Sequence, residues 1–145
     1  MLKKDWNQNM YQSLPGAAFA PHLLSLLRIV AAGSFFTHGT MKIFSWPALF
    51  PYQMSGLIYI AGLMEVVGGL LLMAGLMTRP VAFILSGLMA FAYFIAHASE
   101  SFFPVLNNGE PSVLYSFLFL YIAAAGPGIW SVDGLLVRRT DRHPA

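Results

Sequence analysis

One stretch narrows what this chain can fold into more than any other: residues 56–77, an apolar run with a single acid, Glu65, near its middle. Its length, roughly 20 apolar residues, is what one helix needs to cross a bilayer. An ionised carboxylate in hydrocarbon costs at least about 2.5–3.5 kcal/mol, so Glu65 requires a partner, water or a proton. On a helical wheel Gly62, Gly68 and Gly69 lie within about 60° of it. Small residues let a second helix approach closely. The acid is therefore expected to face protein, and the nearest candidate cations are Arg28, His38 and Lys42 on the preceding helix.

Composition generalises the point. Of 145 residues, 57% are hydrophobic and 10% charged, against about 25% charged in an ordinary soluble domain. The chain reads as an integral membrane protein of one compact domain. It has no cysteine, which removes disulfides, thiol nucleophiles, iron–sulfur clusters and thiolate metal sites. The net charge of +2 is no nucleic-acid signal: there is no basic patch interleaved with aromatics and no groove-reading motif.

Residues 1–21 form an N-terminal segment in which Leu2, Trp6, Met10 and Leu14 recur every four positions, with polar residues elsewhere on the wheel. That pattern fits a short interfacial helix anchored by Trp6, or equally a frayed tail. Pro15, Gly16 and Pro21 are expected to break the chain before the first span. Four spans follow, over about 22–44, 56–77, 80–98 and 112–126, giving an all-α, antiparallel four-helix membrane bundle over residues 22–130. Residues 131–145 are left as a short C-terminal segment, with Ser131 capping it and Asp133 in its first turn. Lys3, Lys4, Arg79, Arg138, Arg139 and Arg142 fall on one side and Lys42 near the other. The excess of basic residues places both termini in the cytoplasm and the loops around Glu100 and Glu110 outside.

Two polar clusters emerge. In the first span Arg28, Phe35, His38 and Lys42 share an arc of roughly 80°, and cations on one stripe do not face lipid. Arg28 and Lys42 can each snorkel towards water; His38, about 9 Å from the end at 1.5 Å per residue, cannot. With Glu65 these residues make either a buried ion pair that fixes helix register or a proton or headgroup site. The second cluster, Tyr93, His97 and Glu100 with Glu110, lies at the outer side, as interfacial hydrogen bonding or as the mouth of the same cavity. No His-x-x-x-His or comparable spacing is present, so no metal and no haem is expected from this chain.

The order of these pieces resembles the DoxX family of small four-helix inner-membrane proteins. The matching residues are Arg28, His38-Gly39 and Lys42, then Gly62-Leu63-Met64-Glu65-Val66-Val67-Gly68-Gly69 and Thr78-Arg79. His97, Asn108-Gly109-Glu110, Gly126-Pro127-Gly128 and Ser131-Val132-Asp133 complete the resemblance, over roughly residues 22–137. The resemblance implies an inner-membrane location and a link to quinone-coupled oxidation or to oxidative and thiol stress complexes. The absence of cysteine departs from redox-active relatives, so a redox role must work through a bound quinone or a partner's cofactor. The reading that follows is an auxiliary subunit of a quinone-linked or redox-associated membrane complex, with no residue assigned a catalytic role. Its partners are the bilayer and other membrane or redox subunits, or further copies of itself. The alternatives are a structural or assembly protein whose charges only fix packing and, more weakly, a small-molecule or proton transporter.

Overall fold

A computed structural model describes residues 16–140. The interfacial helix expected around Trp6, and the basic residues Lys3, Lys4 and Arg142, lie outside the described residues. Within them the chain is all helical: α1 (Ala20–Phe44), α2 (Gly56–Ala74), α3 (Thr78–Ala92), α4 (Glu110–Ala125) and α5 (Val132–Thr140). A 3-10 turn, Ala17–Phe19, leads into α1, and a π turn, Tyr93–His97, extends α3.

Local chemistry sets the boundaries. Pro21 does not precede the first span as expected but sits in its first turn, where a missing N–H has no intrahelical partner to lose. Ser55 caps α2, its hydroxyl accepting from the Ile58 amide at 3.3 Å. The helix then ends at Ala74, three residues before the expected 77. Gly75 takes φ 68°, and the Leu76 amide donates to Leu71 O while the Gly75 amide donates to Leu72 O. That is a Schellman cap, and glycine adopts its left-handed residue without a Cβ penalty. Ser131 caps α5 as its sequence position implies, accepting from the Gly134 amide at 3.1 Å.

Two antiparallel hairpins make the body. In the first, α1 and α2 meet along their small residues, and Gly62, Glu65, Gly68 and Gly69 are all buried. A Cβ at Gly39 would stand 2.7 Å from the Val66 nitrogen and 2.9 Å from the Gly62 oxygen, so the backbones touch where only glycine fits. In the second, α3 and α4 are pinned by Ser86, which donates to Ser116 O at 2.8 Å. Arg79 adds bonds to Ala123 O at 2.9 Å and Ala124 O at 2.6 Å. The hairpins join through Leu85 against Gly68 and through Phe35 edge-on to Phe119 at 4.9 Å. Phe35, Leu72, Leu85, Phe119 and Ile122 form the buried centre.

The outer surface is as apolar as the centre: Val30, Leu57, Ile60, Phe83, Phe91, Phe94 and Phe117 are all exposed. So continuous an apolar surface is stable only in lipid. Ala17–Phe44, Gly56–Ala74 and Thr78–His97 are each long and apolar enough to cross a membrane. The fourth expected span is shorter, 16 residues, or about 24 Å at 1.5 Å per residue.

Candidate functional site

The cations expected to compete for Glu65 are separated by depth. Arg28 and Lys42 stand 14 positions apart on one helix, about 21 Å along its axis. Lys42 takes the acid: its Nζ is bonded to Glu65 Oε1, with the lysine side chain 17% and the glutamate 2% exposed. Gly62 makes this possible, because its missing side chain leaves room for the Lys42 stem. The ammonium also lies 6.0 Å from the Phe50 ring centroid, in the loop after α1. The second carboxylate oxygen, Oε2, is buried and has no hydrogen-bond partner among the described residues.

His38 does not point into the bundle. It lies at the edge of the shared arc, about 80° round from Arg28, and is exposed where α1 faces α4. Its ring stands edge-on to Tyr115, 6.1 Å between centroids. The Tyr115 hydroxyl donates to Ser34 Oγ at 2.8 Å. Ser34 and Tyr115 therefore join His38 at a polar rim flanked by lipid-facing surface. Ser34 could have been read from its position four residues before His38; nothing in the sequence marks Tyr115, which comes from a helix packed alongside.

Arg28 works elsewhere. Fully buried, it donates from Nη1 to Leu72 O and to Met73 O (2.9 Å), from Nε to Pro127 O (2.8 Å) and from Nη2 to Trp130 O. Two of these acceptors belong to the last turn of α2, where a cation complements the helix dipole. The other two belong to the turn after α4, so one side chain ties three segments. Asp133 closes the same end, accepting from the Met77 amide at 2.8 Å and the Thr78 amide at 2.9 Å.

Burial alone would raise the Asp133 carboxyl, but the Thr78 and Met77 amides and the nearby Arg28 charge outweigh it and hold it below the ordinary range. A depressed folded value contributes stability that is complete above the unfolded pKa, about 3.9, and is lost as pH falls through the folded value. Asp133→Asn should therefore melt lower than the parent at pH 7, and the gap should close as pH falls below about 4. Thermal unfolding in detergent at pH 3, 5 and 7 checks the sign; a gap that widens in acid contradicts it.

The second expected cluster is only partly assembled. Tyr93 stacks on His97, 6.5 Å between centroids, and the His97 Nδ1 lies 2.9 Å from Asn107 O. The Glu100 and Glu110 side chains are both exposed. The residue that organises this end is Asn107, which the sequence marks only as part of a turn: it is 2% exposed and bonded on both sides of its amide. Among the described residues no group of three His, Asp or Glu side chains is placed to hold a metal ion.

Comparison with known proteins bears on the first cluster. The DoxX family model matches residues 23–98, over half of the chain, taking in α1 from its fourth residue on and the whole of α2 and α3. The chain belongs to the DoxX family. An uncharacterized protein of Haemophilus influenzae is 41% identical over 132 residues, covering 83% of this chain and 96% of its own length. No solved structure matches. The region matched by the DoxX model contains Arg28, Ser34, His38, Lys42 and Glu65, while Tyr115 lies outside it.

Proposed function

We propose that this DoxX protein is the integral membrane subunit of a quinone-linked or redox-associated complex, and that His38, Lys42 and Glu65 hold a quinone headgroup or seat a redox partner. On this reading α4 also crosses the membrane, completing an antiparallel four-helix bundle in the bacterial inner membrane. Arg79, Arg138 and Arg139 would then lie on the cytoplasmic side. The observation that carries the proposal is the buried Glu65: it is bound to one cation through one oxygen, and the other has no partner among the described residues. A purely structural carboxylate would be expected to satisfy both.

The donors fit a quinone. Its carbonyl oxygens need N–H or O–H donors, and the His38 imidazole and Lys42 ammonium supply them. The rim at the exposed Ser34 and His38, beside the half-buried Tyr115, would open the site to a lipid-soluble molecule moving within the bilayer. When bound, a quinone supplies reversible acceptance of two electrons and two protons. The chain's part is to orient the headgroup through His38 and to hold a proton at Glu65 Oε2. The alternative is structural: the Lys42–Glu65 pair joins α1 to α2 and by itself would fix their register.

A quinone with a truncated isoprenoid tail should raise the melting temperature of the purified protein. His38→Ala, at the exposed rim, should fold normally yet bind it about tenfold more weakly, the loss of one hydrogen bond. No shift at saturation, or equal shifts in both proteins, would argue against the proposal.

A further inference from the structure

The loop between α3 and α4 is built inside out for a loop in water. Phe102, Phe103, Val105 and Leu106 are 73%, 62%, 70% and 71% exposed, while Asn107 turns inward and Asn108, beyond them, stays exposed. The Asn107 amide donates to His97 O at 3.1 Å and Ser101 O at 2.6 Å and accepts from the Gly109 amide at 2.8 Å. The Tyr93 hydroxyl donates to Phe102 O. Leu106 N donates to Phe103 O, and Gly109 N to Pro104 O. The carbonyls of residues 101–104 are thus all bonded within the protein, and internal bonding of backbone groups is what hydrocarbon demands and water does not.

Depth gives the reason. At one end α4 is level with α3, because Arg79 binds the carbonyls of Ala123 and Ala124. At the other, Gly109 lies against the Tyr93 ring, so α4 begins a full turn below the end of the π turn at His97. A helix of about 24 Å falls short of a hydrocarbon core of about 30 Å. The shortfall lies where the apolar loop folds over the start of α4.

We propose that residues 101–106 form a membrane-inserted wedge, seated among the acyl chains of the leaflet at the Lys42 end and supplying the depth that α4 lacks. The occupant of this surface is lipid. The internally bonded carbonyls of residues 101–104, the exposed aromatic pair, and continuity with the lipid-facing Phe94 all favour it over a protein partner. No charged residue lies between Glu100 and Glu110.

Because the chain has no cysteine, single spin labels can be placed cleanly. Phe103→Cys and Leu106→Cys, labelled and reconstituted in phosphatidylcholine vesicles, are compared with Phe94→Cys as the lipid reference and Arg139→Cys as the aqueous one. Both loop labels should match the Phe94 position, with an oxygen-to-nickel-chelate accessibility ratio several-fold above that at Arg139. Nickel accessibility equal to that at Arg139 would place the loop in water and overturn the proposal. Shielding from both reagents would mean a protein cover, such as a second copy, and would overturn it equally.

Discussion

Arg28→Met is expected to lower stability by about 3 kcal/mol, the largest loss from any single side chain at the Arg79 end. The arithmetic rests on acceptors, not on an ion pair. Four carbonyls, of Leu72, Met73, Pro127 and Trp130, receive the guanidinium, and each buried acceptor left bare costs about 1–3 kcal/mol. Partners found in the unfolded state within the membrane reduce the sum. In thermal unfolding this corresponds to a drop on the order of 10 °C. Arg28→Lys should recover only part, because an ammonium has three donors on one point where the guanidinium has five in a plane. A variant melting within a degree or two of the parent would mean that the tie carries little.

The second large effect concerns the pair at the Lys42 end. Lys42→Met strands the Glu65 carboxylate at 2% exposure, a change worth about 3–5 kcal/mol when one partner of a buried pair is removed. Lys42→Met/Glu65→Met removes both charges and fills the space, so most of that loss should return. The double-mutant cycle gives the coupling directly. If the double variant is no more stable than the single one, the two side chains do not share one energetic unit. A stable double variant also has a use beyond stability: it keeps the fold while erasing the proposed site.

Much of this architecture is written in the sequence because lipid imposes simple rules. An apolar run of bilayer length must be a helix, and the glycines around Glu65 mark the face that meets a neighbour. The cap of α5 follows from Ser131 at its expected place and α2 starts at the expected residue 56, whereas α4 starts at Glu110, two residues before the expected 112. The assignment of Arg28 to Glu65 was open on the wheel, which records angle but not depth; rise per residue separates Arg28 from Lys42 by about 21 Å. His38 at the rim shows the same limit in angle, since an arc of about 80° spans both a buried face and its edge. Tyr115 and Asn107 were not legible as site or anchor residues, because their roles depend on contacts made across the tertiary fold. The turn at Gly126-Pro127-Gly128 reads as a helix stop, yet its carbonyl at Pro127 is also a ligand for Arg28.

On the proposed reading His38, Lys42 and Glu65 form a headgroup or partner site and not only a lock between helices. The most direct test is purification of the protein from its native membrane in mild detergent, beside Lys42→Met/Glu65→Met, with mass spectrometry of every lipid and protein retained. The expected result is a stoichiometric quinone or redox protein with the parent, lost from the double variant although that variant melts near the parent. Equal retention by both proteins, or a parent that carries neither quinone nor redox partner, would contradict the claim and leave the pair as a structural tie.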